Sequence, residues 1–319
     1  MHLYKVDPMC RLLGISRQGY YKHTEKTNEE DILISSIVWY CQYIRAPDNL
    51  PKSGCRELWE LNQQYFKDKL TFGRDKFYDV LRANGLMLKK KKYRPKTTDS
   101  NHLNKIYPDL LNTSPKFAAK APGQLIVCDI TYVYCLEGFG FLSLITDAYS
   151  RYIVGYCFYE SLDTEGPLAA LEMAFECYDS FGISIGKNTI HHTDRGVQYT
   201  SAAYIKVLKE MQIQISMTQT GDPLHNAMAE RVNGTIKNSW MFNNGDLSFT
   251  DAGTSIDKAI MMYNKARPHQ GIDMKTPYEM MCGMSDNPLL YQKRGVLLIH
   301  KFECKPFRKS RSFGISRPS

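Results

Sequence analysis

The fold is decided by one stretch of sequence, Leu125-Ile126-Val127-Cys128-Asp129-Ile130-Thr131-Tyr132-Val133. Its β-branched and aromatic residues form a continuous run, which is typical of a central strand covered on both faces. An isolated ionised carboxylate such as Asp129 is costly in such a strand unless it is paired or binds a metal ion. From this strand alone, two interpretations stay open: an acid satisfied by a neighbouring amide at a strand end, or a metal ligand.

A second acid follows another apolar segment. Ile190 leads into a polar loop that contains Asp194 and Arg195, and a helix is predicted from about residue 201. In α/β sheets, ligands bind at the carboxyl ends of strands and in the loops after them. Asp194 is therefore either an ordinary turn residue before a glycine or part of a site at the sheet edge.

The third acid, Glu230, lies in a predicted helix. Apolar residues recur there every four positions and predict a buried stripe: Met228, Val232, Ile236 and Trp240. Glu230 is rotated about 200° from Val232 on a helix, so it points away from that stripe. A different face carries polar residues at spacings of three and four: Asn226, Glu230, Asn233 and Lys237. This face is either simply solvated or functional.

Taken together, a strand Asp, a strand-end Asp and a helix Glu can meet at one edge of a sheet. Asp194 and Glu230 are 230 − 194 = 36 positions apart, with 35 residues between them. Three converging carboxylates repel one another unless positive charge lies among them. A pair of divalent metal ions held by such a trio can cut and join phosphodiester bonds.

The chain resembles the DDE transposases of bacterial insertion sequences, in the branch most similar to retroviral integrases. The resemblance covers roughly residues 5–283, and the three acids lie in the matching stretches 128–132, 192–201 and 226–231. Further matching stretches are 147–151, 233–237 and 263–269. Ile126 and Ser239 depart from the usual pattern, but neither removes a carboxylate.

The resemblance implies an α/β fold: a ribonuclease-H-like catalytic core with a mixed five-stranded sheet and helices, preceded by small all-α, helix-turn-helix-like modules. It implies Asp129, Asp194 and Glu230 as catalytic, metal-binding acids of a polynucleotidyl transferase. Two Mg²⁺ ions are expected in each site, with Mn²⁺ as a substitute, because Mg²⁺ takes oxygen ligands. The expected reaction is cleavage at element ends followed by strand transfer into target DNA.

The residues expected to contact DNA fall into three groups. Lys237 is expected to bind phosphate near the terminal bases of the element, with Arg195 and Asn226 in the same neighbourhood. Arg17 and Lys22 point outward from the predicted helix-turn-helix. A basic strip would contact phosphates without sequence specificity: Lys89, Lys90, Lys91, Lys92 and Arg94.

Five segments are predicted along the chain. They are a helix-turn-helix-like segment (1–50), a second helical module (51–88), a basic linker (89–120), the catalytic core (121–283) and a basic tail (284–319). In the core we expect strands at 125–134, 139–147, 152–159, 188–192 and 213–217, and helices at 164–179, 201–210, 224–240 and 252–266.

The N-terminal segment is predicted to hold a helix-turn-helix at residues 7–23, with Asp7 as a cap, Gly14 as the break and Ser16 as the second cap. Its small core would contain Leu12, Leu13, Ile15, Tyr20 and Tyr21. Separate helices are predicted at 28–45, capped by Asn28, and at 54–66 and 74–84.

Charge and composition agree with a DNA-acting protein. The net charge is +8 with a pI near 8.9, which suits a polyanionic partner. There is no apolar run near 18 residues, so no membrane association is expected. Nine scattered cysteines without a C-x-x-C spacing argue against zinc and favour reduced thiols in a bacterial cytosol.

The resemblance also implies partners: double-stranded DNA from element ends and target, further copies of the chain on that DNA, and an upstream-frame DNA-binding partner or fusion. Three alternatives stay open. They are a ribonuclease-H-like nuclease that does not join, a non-catalytic DNA-binding protein derived from a transposase, and a helical regulator whose core only dimerises.

Overall fold

The computed structural model describes residues 6–88, 106–112, 116–218, 227–240 and 246–283. The predicted basic strip at 89–94, Asn226 and the predicted basic tail lie outside these ranges. Within these ranges, four α-helices precede one mixed sheet that has helices on both faces. None of the helices in the described ranges combines the length and apolar character needed to cross a lipid bilayer.

The sheet has five strands in the order β3-β2-β1-β4-β5. They are β1 (Leu125–Cys135), β2 (Gly138–Asp147), β3 (Ile153–Tyr159), β4 (Ile190–Thr193) and β5 (Gln214–Met217). The first three form an antiparallel meander, whereas β4 runs parallel to β1 and β5 parallel to β4. All five predicted strands are confirmed, with ends within two residues, and this order is that of the predicted ribonuclease-H-like core.

Helices cover both faces of the sheet, which explains the continuous apolar run of β1. One core layer places Ile126 and Cys128 against α5 (Glu165–Ser180) and α6 (Ala202–Glu210). The other places Val133 against α7 (Ala227–Ser239) and α8 (Phe249–Lys265). Because strand side chains alternate between faces, odd and even residues of β1 enter different layers.

A close approach of α5 to β3 requires a glycine. A Cβ atom on Gly155 would lie 2.1 Å from the carbonyl oxygen of Ala170 and 2.9 Å from the amide nitrogen of Ala174. Any side chain at this strand position would therefore push the helix off the sheet.

The core also contains a short helix that the sequence analysis missed, α9 (Pro277–Cys282). Its start has a capping box between Thr276 and Glu279 with proline at the first turn, and its end has Gly283 at φ +67°. These signals are visible in the sequence, although the segment is too short for periodicity to reveal it.

The N-terminal helices differ in part from the prediction. Helices α1 (Val6–Leu13), α3 (Cys55–Phe66) and α4 (Arg74–Ala83) lie close to their predicted ranges. The predicted break near Asn28 is wrong, because α2 runs without interruption from Arg17 to Ile44. Ser16 caps α2 as predicted, its hydroxyl accepting from the amide of Gly19 at 2.9 Å.

Two smaller predictions in this segment are also wrong. Asp7 does not cap α1 but lies in its first turn, where it pairs with Arg11 at 2.8 Å. The predicted small core is not formed, because Leu12, Leu13, Ile15 and Tyr21 are exposed. The buried residue of α1 is Cys10, and the buried part of α2 is its C-terminal end.

Among the described residues, an ion pair and a hydrogen bond join the helical modules to the core. Glu57 of α3 forms a half-buried ion pair with Arg267, which follows α8, at 2.6 Å. The indole nitrogen of Trp240, at the end of α7, donates to the carbonyl oxygen of Asn49 at 3.1 Å. The N-terminal helices and the sheet domain are thus packed together, while the predicted module boundaries stay a prediction.

Candidate active site

Parallel pairing brings the two aspartates to one edge of the sheet. β1 and β4 are in register at Ile126 with His191 and at Val127 with His192. Asp129 and Asp194 each follow this last pair by two residues. Both therefore lie just beyond the point where the parallel pairing of β1 and β4 ends. Asp194 follows β4, whereas Asp129 lies within β1, opposite Leu144 of β2. Ligands of α/β sheets bind where parallel strands end in this way.

Asp129 is half-buried and held by two hydrogen bonds. Its Oδ2 accepts from Nδ2 of Asn233 at 2.7 Å, and its Oδ1 accepts from the amide of Ile130 at 2.9 Å. Burial first, and then the negative charges of Asp194 and Glu230, raise the pKa of Asp129 to about 7, although the two hydrogen bonds act to lower it. The Asp129 carboxylate therefore interacts electrostatically with both Asp194 and Glu230.

Asp194 and Arg195 shape the loop after β4. The Oδ1 of Asp194 accepts from the amide of Gly196 at 2.9 Å, which closes the turn. Nε of Arg195 donates to the carbonyl oxygen of Thr218 at 2.7 Å, which ties this loop to the end of β5. Arg195 is thus a structural residue here as well as a candidate DNA contact.

Glu230 lies in the first turn of α7 and is exposed. Val232 and Ile236 are buried, so Glu230 points away from the buried stripe as predicted. Two turns further along, Nζ of Lys237 lies 5.8 Å from the ring centre of Tyr134. Of the other predicted DNA contacts, Arg17 and Lys22 are exposed on α2.

The donor set fits a divalent cation. Within the part of the chain that the structure describes, no three His, Cys, Asp or Glu side chains already form a cluster that could hold a metal ion. Burial, followed by the charges of Asp194 and Glu230, nevertheless raises the pKa of Asp129, and a cation beside the carboxylates would relieve their repulsion. Carboxylate oxygens are the ligands that Mg²⁺ prefers.

A buried polar layer lies behind the two aspartates. Nε2 of His191 lies 3.1 Å from Sγ of Cys128 and 2.9 Å from the hydroxyl of Tyr204. Burial lowers the pKa of His191 to about 3 and raises that of the Cys128 thiol well above its ordinary value. The imidazole is therefore neutral, and Cys128 is a core residue rather than a nucleophile. Nδ1 of His192 similarly contacts Oγ of Ser216 at 2.9 Å.

Asn233 is the site residue that sequence reasoning missed. It is buried, it donates to Asp129, and its Oδ1 has no partner among the described residues. Its position three residues after Glu230 placed it on the polar face of the helix. The missing information was the crossing of α7 over β1, which the sequence does not specify.

The comparisons with known proteins agree with this geometry. Two models described as integrase core domain match residues 119–223 and 211–277. The chain is 30% identical to the insertion element IS600 uncharacterized 31 kDa protein of Shigella sonnei over 84% of this chain and 96% of that protein. It is 32% identical to the transposase for insertion sequence element IS629 of Shigella sonnei over 73% of this chain and 77% of that protein.

Among solved structures, the HTLV-2 integrase catalytic core domain in complex with magnesium is similar, with a TM-score of 0.39 and 16% identity over 51% of this chain and 99% of that chain.

Sheet order and the integrase core match define the class: a polynucleotidyl transferase with an integrase-type core. The chain belongs to the transposases of bacterial insertion sequences.

Proposed function

We propose that Asp129, Asp194 and Glu230 are the catalytic carboxylates of this transposase, in cleavage at element ends and in joining of the freed 3′-hydroxyl to target DNA. One observation supports this most strongly. Burial first, and then the charges of Asp194 and Glu230, raise the pKa of Asp129 to about 7, and shifts of this kind are common at functional sites.

The three acids are proposed to have different roles in metal binding. Asp129 and Asp194 would bind two Mg²⁺ ions between them, and Glu230 would bind one of the two, with Mn²⁺ accepted by the same oxygen ligands. When bound, such a pair of ions supplies an activated oxygen nucleophile and stabilises the leaving 3′ oxygen. Asn233 fixes the orientation of the Asp129 carboxylate, as outer partners of metal ligands commonly do. No protein nucleophile is required.

Basic residues around the site would hold the DNA. Lys237, Arg195 and Asn226 are proposed to contact phosphates beside the cleaved bond. Arg17 and Lys22 of α2 and the basic strip at 89–94 would bind the duplex further away. Such contacts give affinity and position rather than sequence discrimination.

Joining two element ends to one target requires more than one active site. We therefore propose that the chain acts as a homo-oligomer on DNA, in the bacterial cytosol. An upstream-frame DNA-binding partner, or a fusion to it, is proposed as a further component.

A strand-transfer assay tests this function. Wild type and Asp194→Asn are incubated with Mg²⁺ and labelled DNA from the sequence flanking the gene, with Asp179→Asn as the control because that carboxylate is exposed on α5. Joined products are expected from wild type and control only. Cleavage without joining would support a nuclease, and equal joining by the Asp194 variant would refute the assigned site.

A further inference from the structure

Aromatic side chains cover one face of the β1–β2 hairpin. Strand pairing sets Tyr134 opposite Phe139 and Tyr132 opposite Phe141, and we call these four residues the aromatic ladder. The rings of Tyr134 and Phe139 lie 4.8 Å apart, and those of Tyr132 and Phe141 lie 5.3 Å apart. Cross-strand pairs of this kind stabilise the hairpin.

The ladder is only partly covered. Tyr134 is 44% exposed and Phe139 is 54% exposed, and Leu136 at the hairpin turn is 69% exposed. The contacts within the ladder are T-shaped or tilted rather than stacked, so the rings do not cover each other's faces. A contiguous exposed apolar patch of this kind marks a binding surface.

The ladder and the active site share one strand. In the described residues, the pairing of β1 with β4 covers only Leu125–Val127, and both Asp129 and the ladder lie beyond it on β1. Asp129 faces α7, and the ladder lies on the opposite face of the same strand. Tyr132 follows Asp129 by three residues, which is about 10 Å along a strand.

Charge around the ladder is uneven. On the side of α7, Nζ of Lys237 lies 5.8 Å from the ring centre of Tyr134. On the side of β3, the hydroxyl of Tyr159 donates to the carboxylate of Glu165 at 2.6 Å, and Asp163 is exposed close by in sequence. A polyanion would therefore follow the edge that carries Lys237 and avoid the acidic edge.

We propose that the aromatic ladder binds unpaired bases of the DNA strand that lies next to the cleavage point. This inference rests on the proposed function, because that function places the DNA end at Asp129. In a duplex the faces of the bases are covered by their neighbours, whereas unpaired bases can stack on aromatic rings beside a cation. Lys237, which reaches from α7 to the Tyr134 ring, is the residue that would guide the DNA backbone from the active site onto the ladder.

The test compares two DNA probes by fluorescence anisotropy: a blunt duplex and the same duplex with a short unpaired thymine tail. Wild type is expected to bind the tailed probe more tightly. The double variant Tyr134→Ala/Phe139→Ala should lose about tenfold or more in affinity for the tailed probe, as expected for the loss of stacked bases, and little for the blunt probe. Leu136→Ala is the matched control, because it removes exposed apolar surface without removing a ring.

A second measurement reports stacking directly. With 2-aminopurine in the tail, wild type and the ring-preserving variant Tyr134→Phe/Phe139→Tyr should quench its fluorescence equally, and the double alanine variant should not. If the double alanine variant unfolds at a lower temperature than wild type, its loss of binding could come from misfolding. The variant Tyr134→Trp/Phe139→Trp then provides the test, because it keeps two rings and should bind the tailed probe at least as tightly as wild type.

Two results would overturn the inference. One is an unchanged preference for the tail in the double alanine variant. The other is a loss of self-association in sedimentation velocity in the double alanine variant with tail binding intact, which would assign the ladder to a second copy of the chain. Failure of the proposed function looks different, since wild type would then join no pre-cleaved ends in Mg²⁺ whatever the ladder does.

Discussion

Replacement of Asp129 by asparagine should stabilise the metal-free protein while abolishing its chemistry. The pKa of this carboxyl is raised from 3.8 to about 7, first by burial and then by Asp194 and Glu230. A shift of about three units corresponds to about 4 kcal/mol, at 1.36 kcal/mol per unit. Because the side chain is only half-buried, we expect about 2–4 kcal/mol at high pH.

The sign of the pH dependence follows from linkage. Between about pH 4 and pH 7 the folded protein keeps a proton on Asp129 that the unfolded chain has released, so stability falls as the pH rises through this window. Because asparagine cannot ionise, the unfolding free energy of the variant does not fall in this way as the pH rises. Its advantage over wild type should grow by about 2 kcal/mol between about pH 5 and pH 8.

Urea denaturation of metal-free wild type and Asp129→Asn at the two pH values measures this difference, with Asp179→Asn as an exposed control on α5. Added Mg²⁺ should stabilise wild type at the higher pH and leave the Asp129 variant unchanged, because a ligand stabilises only the state that binds it. If the unfolding free energies of wild type and Asp129→Asn changed in parallel with pH, the reasoning would be refuted. Parallel changes would mean that folding does not raise the pKa of the Asp129 carboxyl.

Three further changes test other parts of the structure. Asn233→Ala should weaken Mg²⁺-dependent joining by about 10- to 100-fold, with the fold intact by circular dichroism, because an outer partner of a metal ligand is lost. Glu57→Gln should cost about 2–4 kcal/mol in urea denaturation by leaving Arg267 unpaired, and adding Arg267→Gln should cost less than the sum of the two single changes. Gly155→Ala should cost about 3 kcal/mol or prevent folding, since the new Cβ would lie 2.1 Å from the Ala170 carbonyl oxygen; a melting temperature equal to wild type would contradict this packing.

The sequence predicted the sheet well because strand burial follows local patterns. The apolar run of β1 and the short apolar segments of β4 and β5 gave their positions to within two residues. The edge at which Asp129 and Asp194 meet followed from the rule that parallel strands present their carboxyl ends together. The crossing of α7 over β1 depends on tertiary packing, and the role of Asn233 was therefore not predicted.

The long helix α2 shows the limit of capping signals. Asn28 followed by three acids is typical of a helix start, yet α2 continues through it. No glycine or proline lies between Gly19 and Pro47, and the hydroxyls of Thr24 and Thr27 bond back to carbonyl oxygens of their own helix. A weak helix former costs only about 0.5 kcal/mol inside a helix, which is less than the loss of a continuous hydrogen-bonded ladder.

The register between β1 and β4 has a consequence for how copies of this gene can diverge. Asp129 lies two residues beyond the last pair, and insertion or deletion of a single codon between Val127 and Asp129 would turn the carboxylate to the opposite face, where Cys128 lies. A length change in the loop at 181–189 does not exchange the two faces of a strand, although the end of the loop is held by Thr189, whose hydroxyl donates to the carbonyl oxygen of Gly123 at 2.8 Å. Frame-preserving insertions should therefore accumulate in that loop among active copies, whereas the same event within β1 would silence the element.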